Sequence, residues 1–349
     1  MTIKPGALRF NTDSMKLEIF RGSANYEGSA SMAGIGTLAA GQWEEIQATS
    51  PDVQTGGARG LIGGAAPSNG NIGYFNFATT GDTITFGSLT TTRTNGVAAL
   101  ASRTRAIYGG GNGQPTTEFV TIASTGNGTS FGNLVNNGRE GIRGLSNSTR
   151  GILYGGYDRP NSFAYYNVIS YITIAATGNA IDFGDLTSDV DKQNYAAAMA
   201  SSVRGVIGGS GNHPSNINSI AYVTISTLGN SSDFGDLTFA ARAGTAGLSN
   251  STRGIFAGAD NPARNVINYI TIATLGNAQD FGDLTTAADY NMGGASSTRG
   301  VIAYADSPNA SMDYIQIMST GNAIEFGNDG IVNAGNMDGQ IASNGHGGL

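Results

Sequence analysis

Short runs of alternating apolar and polar residues recur in one order along this chain. The run NYITIA at 268–273 sets isoleucines two positions apart, the period of a pleated strand with one buried face. Three companions flank it: AGLSNST (246–252), RGIFAG (253–258) and DFGDLT (280–285), each bounded by Gly, Asn, Ser or Pro turn residues. The pattern predicts four short strands per unit and no helix.

The unit repeats. An Arg-Gly step opens the second run at Arg59, Arg150, Arg204, Arg253 and Arg299, with Arg105-Ala106 as a softened sixth copy. A Phe-Gly step closes the unit at Phe86, Phe131, Phe183, Phe234, Phe281 and Phe326, at spacings of 45, 52, 51, 47 and 45 residues. Propeller blades have periods of about 40–50 residues, whereas helical solenoids repeat at roughly 33–34. The expected fold is therefore all-β, a six-bladed propeller over residues 51–349, or a seven-bladed one if the first fifty residues supply a blade. The C-terminal GQIASNGHGGL aligns with AGLSNSTRGIF, which sets His346 at an arginine position. It reads as a first strand returned late to complete the blade opened by GGARGLIGG, so its removal is expected to unzip the ring.

Six of the eight prolines, Pro67, Pro115, Pro160, Pro214, Pro262 and Pro308, fall between the second and third strands, one per unit. These connections differ in length and lie on one face, where repeat proteins carry binding specificity. The candidate contact residues are Tyr157, Asp158, Arg159 and Asn161 in the longest loop, and Asn212, His213, Asn216, Asp260, Asn261 and Arg264 in its counterparts. Amides, aromatics and carboxylates of this kind grip sugars or another protein; the plainer reading is that they are solvated loop residues.

Composition narrows the classes. With 54 glycines among 349 residues the chain is turn-rich, and 39% hydrophobic content supports a core. Charged residues are only 12%, and 18 Lys+Arg against 25 Asp+Glu leave −7, so no basic field exists to collect nucleic-acid phosphates. There is no cysteine, which removes disulfides and thiolate metal sites. No apolar run approaches the ~20 residues of a membrane helix, and the start has no signal-like apolar segment.

Candidate chemistry is thin. Asp-Phe-Gly at Asp182, Asp233 and Asp280 belongs to the repeat, since no phosphate loop or catalytic-loop signature accompanies it. The pairs Asp182 with Asp185, Asp233 with Asp236 and Asp280 with Asp283 could bind a hard cation or serve turn hydrogen bonds, and the expectation is the latter, with no metal or cofactor. Arg59, Arg105, Arg150, Arg204, Arg253 and Arg299 could ring a ligand channel or tie blades together through their fork of donors, the structural account being the expected one. His213 and His346, the only histidines, assemble no triad, so the chain is not expected to be an enzyme. Asn147-Ser148-Thr149 and Asn250-Ser251-Thr252 fit glycosylation acceptors, as expected by chance in Asn- and Ser-rich units.

The Gly-Gly pairs at Gly63-Gly64, Gly109-Gly110, Gly155-Gly156 and Gly208-Gly209 resemble those ending inner strands in kelch-like propellers, although the tryptophan of a kelch unit is missing. More closely, the phrase STRGIFAG…YITIATLGNAQDFGDLT is similar to repeats in structural proteins of marine and cyanobacterial tailed phages, over about residues 51–349. Independently, GALRFNTDSMKLEIFRGS reads as a hairpin, with Leu8 and Phe10 alternating out, Asn11–Ser14 turning, and Leu17 and Ile19 returning. It resembles a short hairpin of phage tail fibres, in which a tryptophan soon follows; here Trp43 comes after an insert. The resemblance implies a virion appendage in which residues 1–50 dock on other virion proteins through Leu8, Phe10, Leu17 and Ile19. It implies further that the propeller faces a host-surface glycan or protein, with a homo-oligomer, such as a trimer, as the attached form. A decoration protein without a receptor role is the near alternative, and a propeller glycosidase or lyase the distant one.

Overall fold

In the fifth repeat the four runs become four antiparallel strands, Ala246–Ser249, Arg253–Ala259, Arg264–Thr271 and Gln279–Ala288, in register through Leu248↔Ile255↔Tyr269↔Gln279. The structure, a computed structural model, describes residues 7–11, 16–21, 42–45, 58–64, 70–136, 138–158, 164–188, 190, 193–210, 216–241, 243–260, 262–306, 309–330 and 339–349. Six such four-stranded sheets ring a common axis as a six-bladed β-propeller. Blades are numbered here from the one containing Arg59.

The first strands line the axis: Val97–Ala101, Arg143–Ser146, Ala197–Ala200, Ala246–Ser249, Met292–Ala295 and Ile341–Ser343, each touching the next around the ring. The last of them closes it. Ile341–Ser343 pairs with Arg59–Gly63, so blade one is built from both ends of the propeller sequence. Its register is Ser343↔Gly60, matching Ser249↔Gly254, which moves the alignment read from the sequence by one residue. His346 therefore takes no arginine's place; Gly345 and Ala58, whose Cβ atoms would be 2.5 Å apart if Gly345 were alanine, together imitate the turn that is continuous in other blades.

Three sets of contacts repeat at every blade seam, and they explain the repeated phrases. Each Arg-Gly arginine lies over the aromatic ring of its own third strand, 4.3 Å from the Tyr269 centroid for Arg253, and donates from Nη1 to a carbonyl of the following blade. The acceptors run from Ile122 for Arg59 through Ile174, Ile225, Ile272 and Ile317 to Phe77 for Arg299, at 2.7–3.0 Å, so the sixth arginine returns to blade one. The turn before each arginine is capped by the residue three positions earlier, as Asn250 Oδ1 accepts from Arg253 N at 2.7 Å. Asn147 does the same for Arg150, so both asparagines of the glycosylation-like tripeptides are engaged in turns. In blade one Asn344 caps Arg59 from the other end of the chain at 2.7 Å.

The Phe-Gly step receives the Gly-Asn turn of the next blade. The turn glycine donates to the phenylalanine carbonyl, as Gly321 N does to Phe281 O at 2.8 Å, and the turn asparagine accepts one residue beyond the glycine, as Asn322 Oδ1 does from Asp283 N at 3.1 Å. At Gly235, Gly282 and Gly327 a Cβ would stand 2.5 Å from the oxygen of Gly276, Gly321 and Gly81, so only glycine lets the backbones meet. This clasp covers the outer strand, whose unpaired edge would otherwise be exposed. Apolar clusters continue across the same seams: Phe281 and Leu284 of blade five share one with Ile302, Tyr304 and Ile315 of blade six.

Met1–Gln54 form a separate compact unit. Its strands Leu8–Asn11, Lys16–Arg21 and Gln42–Glu45 make a three-stranded antiparallel sheet, with Leu8↔Ile19 and Phe10↔Leu17 in the hairpin. The third strand sets Trp43 opposite Phe20, so the insert does not prevent the tryptophan from joining the hairpin. Leu8 is 60% exposed and Ile19 partly buried. This sheet is no seventh blade, because the ring is complete with six.

Candidate functional site

Strand direction gives the propeller two dissimilar faces. The arginine turns and Gly-Asn turns share one, the turn face; the connections between second and third strands, with the crossovers into each new blade, share the other, the loop face. On the loop face the longest connection is folded: Tyr157–Asp158 pairs with Ala164–Tyr165 as a small extra ladder. Tyr157 and Asp158 are thereby buried, at 7% and 4% exposure, and are not the solvated loop residues that spacing alone suggests.

Tyr157 is the hub. Its hydroxyl donates to Glu140 Oε2 at 3.1 Å and lies 3.2 Å from the Tyr195 hydroxyl, while its ring meets Tyr165 at 5.9 Å. Tyr195 packs edge-on to Tyr290 at 5.5 Å, and Ala243 completes the cluster. Beside it Tyr166 donates to Asp158 at 3.4 Å; lost hydration and that carboxylate push the Tyr166 hydroxyl pKa up. Of the other candidates, Asp260 is buried with its N–H on Ala243 O at 2.9 Å, and Arg264 places its guanidinium 5.5 Å over Phe239 of the preceding blade. Asn216 is exposed, ahead of Ile217–Thr224. Arg159, Asn161, Asn212, His213 and Asn261 lie outside the described residues.

Tyr195 and Tyr290 were not among the sequence candidates, and their backbone explains their placing. They belong to a belt around the axis in which Gly141 N donates to Asn95 O, Tyr195 N to Gly141 O, Gly244 N to Tyr195 O and Asn291 N to Gly244 O, at 2.8–3.0 Å. Gly141 and Gly244 adopt φ of 67° and 70°; Tyr195 and Tyr290 adopt 50° and 52° in the same left-handed region. An aromatic residue held there costs of order 1–3 kcal/mol, and such outliers cluster at functional sites. The Tyr195 ring reaches over two other blades, for a Cβ on Gly96 would stand 2.6 Å from its Cε1 and one on Gly141 3.3 Å from its Cε2.

The axis itself is filled. Gln340 reaches across it, its Oε1 accepting from Ala99 N at 3.1 Å and Gly144 N at 2.7 Å. The cavity left between the first strands is about 50 Å³, enough for a few waters and far below the roughly 300 Å³ at which small-molecule sites begin. At the turn-face end the tail crosses: Gly347 N donates to Ser249 O at 2.8 Å, His346 Nδ1 accepts from Gly348 N, and its Nε2–H donates to Ala101 O at 2.9 Å. Loss of hydration pulls the His346 pKa down to about 4, against the pull of Ala101 O and helped by the Arg103 charge.

Charge on the loop face is handled unequally. Buried Arg93 donates to Gly110 O and pairs with buried Glu118 at 3.0 Å. Burial pushes the Glu118 carboxyl up, but the Thr90 hydroxyl and amide with Arg93 outweigh it and hold it below the usual range. Arg139 occupies the same place in the next blade, donating to Gly155 O at 2.8 Å, but Ser170 stands where Glu118 would, so no carboxylate meets it among the described residues and burial lowers its pKa to about 10.

No protein-family model matches the chain, and no curated protein does. Among the described residues no three His, Cys, Asp or Glu side chains gather where they could hold a metal ion. The loop face presents tyrosines and amides, side chains suited to stacking and hydrogen bonding.

Proposed function

We propose that this chain is a structural protein of a tailed-phage virion, a fibre or appendage protein that holds the propeller out to a host surface with its loop face forward. The observation that carries the reading is the division of labour among side chains. The repeated Arg, Gly and Asn residues are engaged in blade seams, whereas the tyrosines departing from the repeat gather on the loop face. Partly exposed Tyr165, Tyr166 and Tyr290, with exposed Asn167 and Asn216 also on the loop face, suit saccharide, whose apolar ring faces stack on aromatics while its hydroxyls take amide hydrogen bonds. The N-terminal unit, separate from the propeller and carrying a three-stranded sheet, is assigned the docking role, with other virion proteins as its partners and a homo-oligomer as the attached form. The likeness of both segments to phage appendage proteins supports the same assignment.

The test uses the full chain, labelled, on candidate host cells and on virions lacking it. The expected result is saturable cell binding that Tyr166→Ala reduces at least tenfold without reducing virion capture. Virion capture without cell binding would replace the reading by that of a decoration protein; turnover of host polysaccharide would replace it by an enzyme.

A further inference from the structure

Arg139 is wholly buried, yet its Nε and Nη2 meet no hydrogen-bond partner among the described residues. Its Nη1 donates to Gly155 O at 2.8 Å, and its Cζ stands 5.7 Å from the centroid of the Tyr166 ring. Buried charges are paired as a rule, which makes an unsatisfied guanidinium a feature to explain. Lost hydration lowers its pKa to about 10, with only Tyr166 acting the other way, so the group is still a cation at neutral pH. The two idle nitrogens share one edge of the guanidinium plane, the edge that takes a carboxylate side-on through two parallel bonds.

The neighbouring crossovers avoid this state in two ways. Into blade two the arginine is Arg93, and its Nη2 meets the Glu118 carboxylate at 3.0 Å. Into blade four the group is neutral, Gln193, which donates from Nε2 to Ser210 O at 2.8 Å. Backbone fixes the match of Arg139 with Gln193, since Gly111 N donates to Arg139 O and Gly156 N to Gln193 O, each at 2.8 Å. The crossover into blade three keeps the cation without the acid. Ser170 stands at Glu118's place, with its hydroxyl on Leu153 O. A Cβ on Gly128 would stand 2.8 Å from Glu118 Oε2, and blade three carries Ala180 at that position. Blade three thus has no room for a glutamate of its own, and an acid for Arg139 has to come from outside it.

The cover on that side is the partly exposed ring of Tyr166. Its hydroxyl is latched to buried Asp158 at 3.4 Å, longer than an ordinary O–H···O bond. We propose that Arg139 receives the carboxylate of an acidic saccharide, Tyr166 turning outward from Asp158 to admit it and stacking on the sugar ring that carries it. This rests on the loop-face reading above and narrows its ligand from saccharides in general to those bearing a carboxylate. Nη1 keeps its bond to Gly155 O throughout, so the guanidinium is positioned before the ligand arrives.

The experiment measures binding of the labelled full chain to candidate host cells, competed with polygalacturonate or with neutral dextran, for the parent, Arg139→Gln and Tyr166→Phe. Arg139→Gln installs the residue that Gln193 supplies at the next crossover, and a melting temperature no lower than the parent's shows the propeller intact. Polygalacturonate is expected to compete at least tenfold better than dextran, and both that advantage and cell binding should fall at least tenfold in Arg139→Gln. Tyr166→Phe keeps the ring and frees it from Asp158, so polygalacturonate should compete at least threefold better than with the parent, a gain that a purely structural arginine would not give. Unchanged cell binding in a folded Arg139→Gln protein, dextran competing as well as polygalacturonate, or no gain in Tyr166→Phe would each overturn the proposal and leave the loop-face reading standing. Absence of cell binding by the parent would overturn both.

Discussion

Gly132→Ala tests the seam contacts most directly. Gly132 follows Phe131 on the outer strand of blade two and faces the turn of blade three, and its φ is not left-handed, so backbone strain plays no part. A Cβ there would overlap the Gly178 carbonyl outright and stand 2.9 Å from Asn179 N. Relief requires the turn to retreat, and with it go Gly178 N to Phe131 O at 2.8 Å, Ala180 N to Asn133 O at 2.8 Å and Asn133 N to Asn179 Oδ1 at 3.0 Å. At roughly 0.5–1.5 kcal/mol net for each bond, losing two or three gives about 1–4 kcal/mol. Gly178→Ala, across the same junction, meets nothing within 4 Å and also lacks a left-handed φ, so about zero change is expected. Equilibrium denaturation in urea measures both, with the slope checked for a single transition. A Gly132→Ala protein within 0.5 kcal/mol of the parent, or a Gly178→Ala protein equally damaged, would refute the steric account.

Arg253→Met keeps the apolar stem over Tyr269 but removes the donor to Ile317 O, and a loss of about 1–3 kcal/mol is expected by the same denaturation assay, with Arg253→Lys losing nearly as much because its point charge cannot hold both contacts. His346 has a folded pKa of about 4 against an ordinary value of 6.5, so the unfolded chain binds the proton first. Its contribution is complete above pH 6.5 and is lost as pH falls towards 4, by up to about 3 kcal/mol and less because the ring is only partly buried. Melting profiles of the parent and His346→Gln should therefore converge on acidification, and parallel profiles between pH 6.5 and 4.5 would sink the claim. Deleting residues 339–349 removes the inner strand of blade one and the tail; circular dichroism should show the loss of a single cooperative melt, whereas an unchanged transition would count against closure by that strand.

The frame could be read from the chain because it is written six times. Arg253, Gly282 and Asn322 each solve a seam problem that recurs, so the period and the residue type are visible together. The loop face could not be read in the same way, since its residues matter by departing from the repeat. Tyr195 and Tyr290 sit where glycine stands in Gly141 and Gly244, and that exchange was the available signal, hidden because both precede the first strand and lie in no proline loop. Tyr157 and Asp158 were found, but their burial depends on a ladder to Ala164–Tyr165 that no local pattern announces. The alignment of His346 slipped by one because two of the turn residues, Gly345 and Ala58, are nearly three hundred positions apart, and only the pairing of Ser343 with Gly60 sets the register.

That split turn also decides how blade one would meet a mechanical load. The chain enters the propeller at Arg59–Gly63, a strand flanked on both sides, by three register pairs to Ile341–Ser343 and five to Asn71–Asn76. Tension arriving from the N-terminal side along that strand would have to shear two ladders together, where an edge strand would be peeled one bond at a time. A tether attached at this end is gripped by the sheet it pulls on.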